Sequence, residues 1–211
     1  MNDDNISTVT LGMGCFWSPD ALFGQMRGII RTRVGYAGGT LDHPTYRQLG
    51  DHTETVELDF DPRILSLEKV LDVFWRNHNP FNINDYKGRQ YQSLVLYRDL
   101  DQQSVIQNVK NMQEEHGNRK LDTEIAPFNR FYLAEDRHQK YYLKRYPNAI
   151  DELSNLYPSP QELTDATLAA RLNGLAKGYV NLQAILDEIR AWPIDEEEKG
   201  NMLQIIQRIR W

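Results

Sequence analysis

Cys15 is the only cysteine in a chain of 211 residues, and it stands in the run Gly14-Cys15-Phe16-Trp17. The apolar segment before it, residues 7–13, reads as a strand. The residues after it, Ser18-Pro19-Asp20, read as the start of a helix, with a capping hydroxyl, a proline suited to the first turn and an acid at the positive end of the macrodipole. The thiol is therefore expected at a strand-to-helix corner. Unpaired backbone N–H groups at a helix start favour the thiolate, the reactive form of cysteine. Gly14 permits the sharp turn, and Phe16 and Trp17 can wall an apolar pocket beside the sulfur. A lone cysteine also fits the role of a small buried hydrophobe, so the residues further along the chain decide between the two.

Composition narrows the choice. Apolar residues make up 40%, enough for a core, while charged residues at 26% and a net charge of −6 describe an acidic protein. That balance argues against nonspecific nucleic-acid binding, which needs a basic surface. One cysteine excludes an internal disulfide framework and suits a reducing compartment. No apolar run approaches the roughly 18 residues of a membrane span. Asn2-Asp3-Asp4 begins no charged-then-apolar leader, so the expected location is cytoplasmic. His43, His52, His78, His116 and His138 form no HxH or HxxxH pair, and one cysteine cannot build a sulfur-rich zinc site. No metal is expected. The glycines from Gly35 to Gly39 precede no helix of the nucleotide-binding kind.

The elements that must position Cys15 follow from periodicity. A helix over about 18–27 leads to a strand at 29–36. Residues 55–60 alternate cleanly as a half-buried strand, and Ser66 caps a helix to about Asn77. A long loop over 78–91 precedes an apolar strand at 93–97. A helix at 101–116, a strand at 123–126 and a helix at 135–146 follow. The order β-α-β-β-α-β predicts an α+β two-layer sandwich with a split βαβ (ferredoxin-like) core. From Pro158 strand patterns cease, and helices are predicted over 161–177, 179–191 and 195–210. The expected division is a catalytic domain at 1–157 and an all-helical extension at 158–211 that packs on the core.

Six ordered stretches align with one family. They are Gly14-Cys15-Phe16-Trp17, Arg33-Val34-Gly35-Tyr36-Ala37-Gly38-Gly39, Pro44-Thr45-Tyr46, His52-Thr53-Glu54, Gly88-Arg89-Gln90-Tyr91-Gln92-Ser93 and residues 131–139, ending in Glu135-Asp136-Arg137-His138-Gln139. Over about residues 7–150 the chain resembles peptide methionine sulfoxide reductase A, whose members reduce the S epimer of methionine sulfoxide, free or in proteins. The resemblance implies that Cys15 is the nucleophile and Glu54 the acid that protonates the sulfoxide oxygen. It further implies that Phe16 and Trp17 hold the substrate methyl group and that Tyr46 and Tyr91 bond the oxygen.

The chemistry suits these residue types. Protonating the sulfoxide oxygen makes the sulfur electrophilic. Attack by the thiolate then leaves Cys15 as a sulfenic acid. A carboxyl beside aromatics is expected to have the raised pKa a proton donor needs. Read without the resemblance, Glu54 is a solvated strand residue, and Tyr46 and Tyr91 are core tyrosines with one hydrogen bond each. His138 is read as a structural hydrogen-bonding residue rather than a base.

The chain departs from the family pattern in two places. Where the family has an aspartate two residues before the glycine of its Gly-x-Gln-Tyr motif, this chain has Tyr86, with Asp85 one residue earlier; either takes the role. The chain also lacks resolving cysteines. The resemblance therefore implies no bound cofactor and an external thiol reductant, thioredoxin or glutathione with glutaredoxin. The partners expected are oxidised proteins or free methionine sulfoxide. Two competing readings remain: a catalytically impaired relative that binds methionine or methionine sulfoxide peptides, and a different thiol enzyme such as a peroxidase.

Overall fold

A computed structural model describes residues 6–81 and 88–211. Six strands form one sheet, in the order β5-β4-β1-β3-β2-β6. They are β1 (Ser7–Met13), β2 (Ile29–Ala37), β3 (Thr53–Phe60), β4 (Ser93–Tyr97), β5 (Glu124–Pro127) and β6 (Phe131–Leu133). Only the β4–β5 pair is parallel. The pairs β4–β1, β1–β3, β3–β2 and β2–β6 are antiparallel. The sheet is thus mixed, and with its helices the protein is α+β.

Three helices connect the strands: α1 (Trp17–Gly24), α2 (Leu67–Arg76) and α3 (Leu100–Gly117). The cap at Ser66 forms as expected, its hydroxyl accepting from Lys69 N–H at 3.3 Å. Asp99 does the same for α3, accepting from Gln102 N–H at 2.8 Å. Strand β3 crosses the middle of the sheet. Val56, Leu58 and Phe60 project from it into the main core with Val9, Leu11, Phe23, Val70 and Phe74. Thr55, Glu57 and Asp59 project from the other face, yet they are buried as well. Arg31, Arg33 and Arg98 cover the two carboxylates there, with Arg33 to Glu57 at 2.7 Å and Arg33 to Asp59 at 3.1 Å. Alternation is kept, but guanidinium groups replace water on the polar side.

The chain continues into α4 (Pro147–Leu153), α5 (Pro160–Asp165), α6 (Thr167–Lys177), α7 (Leu182–Arg190) and α8 (Glu196–Arg208). These helices share a second apolar cluster that includes Leu153, Leu168, Leu172, Ile185, Ile189 and Ile206. Helix α6 lies directly on α1. A Cβ at Gly174 would stand 2.4 Å from the Cβ of Gln25, so only glycine allows that approach.

The structure corrects two expected helices. Residues 135–146 are not helical; two short 3₁₀ turns, Asp136–His138 and Leu143–Arg145, stand there instead. The reason is long-range. The amide of Gln139 accepts from Val34 N–H at 3.0 Å and donates to Val34 C=O at 2.8 Å, completing the β2 edge where β6 stops. Lys140 then takes a left-handed φ of 51°, which no helix accommodates. The expected helix 161–177 is broken at Ala166, whose ψ of 129° is extended and separates α5 from α6.

Candidate active site

Gly14 turns the chain from β1 into α1 with a φ of 92°, in the left-handed region that suits glycine. Cys15 follows, exposed to solvent. Protein packs against one side of its thiol, and that desolvation raises the thiol pKa. A hydrogen bond from the Trp17 N–H lowers it, and the charge of Glu54 raises it again; the net shift is upward. The helix start thus supplies the N–H expected from the sequence, but burial outweighs it in the free protein.

Glu54 occupies β3 with no accessible surface. This differs from the solvated strand residue read for it without the resemblance. One carboxyl oxygen accepts from the Phe16 N–H at 3.2 Å, and the other accepts from the Gln90 side-chain amide at 2.8 Å. The carboxyl is therefore bonded to the backbone of the residue next to Cys15. Tyr36 lies opposite Glu54 in the β2–β3 register and donates its hydroxyl to Glu135 at 2.6 Å. Burial, then Glu135, push the Tyr36 phenol well above its usual range. Burial alone would raise Glu135, but hydrogen bonds from Tyr36 and from backbone N–H groups bring it below the usual carboxylate value. The other oxygen of Glu135 accepts from Tyr46 N–H at 3.2 Å and so fixes the position of Tyr46.

Tyr46 and Tyr91 arrive from opposite sides. Tyr46 lies in the loop between β2 and β3, and Tyr91 ends the 3₁₀ turn Gly88–Tyr91. The two phenols are hydrogen-bonded. Burial first, then the proximity of Glu54, Tyr46 and Cys15, push Tyr91 well above the usual phenol range. These four side chains form one electrostatic cluster.

The residues flanking Glu54 hold the two segments in place. His52 accepts from Gly39 N–H at 3.1 Å through Nδ1, which leaves Nε2 to donate to the Leu41 carbonyl at 2.8 Å. Thr53 donates to the Arg89 carbonyl at 2.8 Å, and Arg89 reaches back to the Asp51 carbonyl at 3.0 Å.

Rings enclose the cluster. Phe16 is buried against Tyr36 and His138, at centroid distances of 6.0 and 5.4 Å. Trp17 stacks on Tyr141 at 3.7 Å with planes 3° apart. Its indole N–H points at His138 Nδ1, 3.3 Å away. Arg137 Nε points at the other ring nitrogen at 3.1 Å. A neutral imidazole has one lone-pair nitrogen, so only one of these donors is satisfied at a time. Burial holds the His138 pKa below its usual value, and its ring lies against Phe16, Trp17 and Tyr46. Asp85 and Tyr86 lie outside the described residues. Among the described residues no group of three His, Cys, Asp or Glu side chains is placed to hold a metal.

The structure adds Gln90, Tyr36, Glu135 and Tyr141 to this site. The first three stand inside motifs already noticed, but nothing in those motifs sets them apart from their neighbours. Tyr141 lies in the stretch expected to be helical, where a ring stacked on Trp17 is not legible.

A solvent-facing thiol, a buried carboxyl, two phenols and a set of aromatic rings thus come together at one place. A family profile described as peptide methionine sulfoxide reductase matches residues 7–166. A peptide methionine sulfoxide reductase of Drosophila melanogaster is 44% identical over 186 residues, covering 87% of this chain and 74% of that protein. Peptide methionine sulfoxide reductase A5 of Oryza sativa subsp. japonica is 37% identical over 200 residues, covering 89% and 78%. The crystal structure of reduced Mxr1 from Saccharomyces cerevisiae superposes with a TM-score of 0.64 at 26% identity, covering 69% of this chain and 88% of that one. The chain belongs to the peptide methionine sulfoxide reductase family, and its activity is the reduction of methionine sulfoxide.

Proposed function

We propose that the protein reduces the S epimer of methionine sulfoxide, free or protein-bound, through a sulfenic acid on Cys15. One observation carries this reading: the carboxyl of Glu54, fully buried, bonds the Phe16 N–H at 3.2 Å next to the exposed thiol. Glu54 must bring a proton when substrate arrives. A sulfoxide oxygen placed between Glu54, Tyr46 and Tyr91 accepts their hydrogen bonds. Protonation weakens the S–O bond, and the thiolate of Cys15 attacks the sulfur. Oxygen passes to Cys15, so thiol plus sulfoxide becomes sulfenic acid plus thioether, and the sulfide of methionine leaves. Phe16 and Trp17 hold the methyl group, and the handedness of that wall relative to Glu54 selects the epimer.

Recycling uses an outside thiol. The first equivalent condenses with the sulfenic acid and releases water, and the second exchanges the mixed disulfide. Thioredoxin and glutathione with glutaredoxin are the two reductants of that chemistry. Cys15 is the sole cysteine, so no internal disulfide competes. The chemistry suits a reducing cytoplasm, and no described helix is long and apolar enough to cross a membrane.

The sheet order β4-β1-β3-β2, with antiparallel neighbours, supports reading the catalytic core within residues 1–157 as a split βαβ arrangement, and the helices over 158–211 are read as an extension of it. Incubation with each epimer separately, in the presence of dithiothreitol, tests the proposal. Methionine is expected from the S epimer alone. Equal yields from both epimers would refute the wall as the selecting element.

A further inference from the structure

Helix α6 carries a side chain that meets both supports of Trp17. Asn173 has no accessible surface. Its Oδ1 accepts the N–H groups of Tyr142 and Leu143, each at 3.1 Å. Its Nδ2 donates to Asp20 Oδ2 at 3.1 Å. Asp20 lies in the first turn of α1, buried and paired with Lys140, whose Nζ stands 3.1 Å from its Oδ1. The amide therefore joins two segments at one point. One is α1, of which Trp17 is the first residue. The other is 140–143, whose Tyr141 ring lies flat on Trp17 and whose Tyr142 hydroxyl bonds Ser18 at 2.9 Å. Two residues earlier on α6, Arg171 donates to the Gly24 carbonyl at 2.6 Å and the Ile29 carbonyl at 2.8 Å, so α6 also holds the far end of α1.

A fully buried amide is costly unless its bonds are made. Those of Asn173 are spent on the segments that orient Trp17, not on its own helical cluster. We propose that Asn173 is a positioning residue for the substrate wall, which makes the C-terminal helices part of the substrate-binding apparatus and not a mere appendage. The inference rests on the reading of Trp17 as the methyl-holding wall.

Four variants of the full chain test it, by kcat, KM and thermal midpoint measured well below unfolding. Asn173→Ala removes both the acceptor and the donor. It is expected to raise KM about tenfold with kcat within about threefold, because it loosens binding geometry more than chemistry. Asn173→Asp keeps an acceptor for Tyr142 and Leu143 but places a second carboxylate against Asp20. It is expected to lower the midpoint while holding KM close to that of the unaltered protein. Ile206→Ala opens a cavity in the same helical cluster far from α1, and is expected to lower the midpoint and leave KM unchanged. Trp17→Leu tests the underlying reading and is expected to raise KM.

If Trp17→Leu leaves KM unchanged, the wall reading fails. If it raises KM while Asn173→Ala does not, positioning by Asn173 fails and the wall stands. If Ile206→Ala raises KM as much as Asn173→Ala, the effect is general softening and the proposal is overturned. Should Asn173→Asp not fold, the comparison of Asn173→Ala with Ile206→Ala decides alone.

Discussion

Glu54→Gln separates the acid from the shape that carries it. The substitution keeps volume and one carbonyl oxygen. That oxygen can still accept from Phe16 N–H, as Glu54 does at 3.2 Å. The new amide then faces the Gln90 amide, which now donates at 2.8 Å. Rotation of the Gln90 amide by half a turn presents its own carbonyl instead, so both of these bonds can be kept. Stability should therefore fall by no more than about 1 kcal/mol, the net value of one hydrogen bond. Loss of the acid should lower kcat/KM about 10²–10⁴-fold, or roughly 3–5 kcal/mol of barrier.

A second measurement distinguishes lost acid from lost structure. The Glu54 carboxylate pushes the Cys15 thiol up, so its removal should move ionisation to lower pH. Alkylation of Cys15 by iodoacetamide at neutral pH should then stay level or quicken while sulfoxide reduction collapses. Steady-state reduction with dithiothreitol, alkylation rate against pH, and urea unfolding are the three assays. A loss of activity under about threefold would show that Glu54 is no acid, since a positioned acid contributes far more. Parallel loss of reduction and alkylation would show that the pocket has collapsed.

Cys15→Ser should abolish reduction with the fold intact by circular dichroism; in the unaltered protein without added thiol, methionine release should stop at one equivalent, and with glutathione intact-mass spectrometry should find one glutathione on Cys15. Because burial raises that thiol, its alkylation midpoint should lie above the value of about 8.5 for a free cysteine, and a midpoint below 8 would contradict the packing described. His78, whose Nδ1 lies 2.7 Å from the Phe74 carbonyl and whose Nε2 lies 2.7 Å from Ser93 Oγ, is depressed to about 4, mainly by burial. The unfolded chain protonates near 6.5 while the folded one resists, so stability should fall as pH drops from about 6.5 to 4, by on the order of 1–2 kcal/mol after allowing for its partial exposure. Urea midpoints at pH 7 and pH 4.5 measure this loss, and His78→Gln should remove the part due to this ring. Lys140→Met strands the buried Asp20 carboxylate, to which Lys140 Nζ donates at 3.1 Å, and should cost about 3–5 kcal/mol in the same assay; a cost below about 1 kcal/mol would show that the pair is not uniquely held.

Where local pattern and packing agree, the sequence reads well. Strand β4 emerges at residues 93–97, as its continuous apolar run suggests, because both its faces are covered. The Ser66 cap works because its hydroxyl and the Lys69 N–H lie within one turn. Expectation fails where the deciding bonds cross the chain. Residues 135–146 have a helical composition, but Gln139 is committed to Val34, 105 positions away. At the break between α5 and α6, Thr167 donates to the Ile30 carbonyl at 2.6 Å, 137 positions away. No window of neighbouring residues contains those partners, and tertiary bonds override a helical tendency worth only tenths of a kcal/mol per residue.

The burial of Glu54 was more legible than a solvated-strand reading allows. Side chains in a strand alternate between faces. Glu54 shares its parity with Val56, Leu58 and Phe60, the core-facing residues of β3, and not with Glu57 and Asp59. A carboxyl in phase with the apolar set must enter the protein. Desolvation there is tolerated only with bonded partners, so the parity alone marks Glu54 as a residue with a purpose. What parity cannot supply is the identity of those partners. Gln90 arrives from a turn 36 positions later, and Phe16 offers only its backbone. Asn173 illustrates the same limit: its neighbours in the sequence do not name its partner Asp20, 153 positions away. A polar residue in an apolar phase thus flags a side chain that must find bonded partners inside the fold. Those partners follow only from the fold: the Phe16 N–H and the Gln90 amide for Glu54, an ion pair and a backbone turn for the buried Asn173.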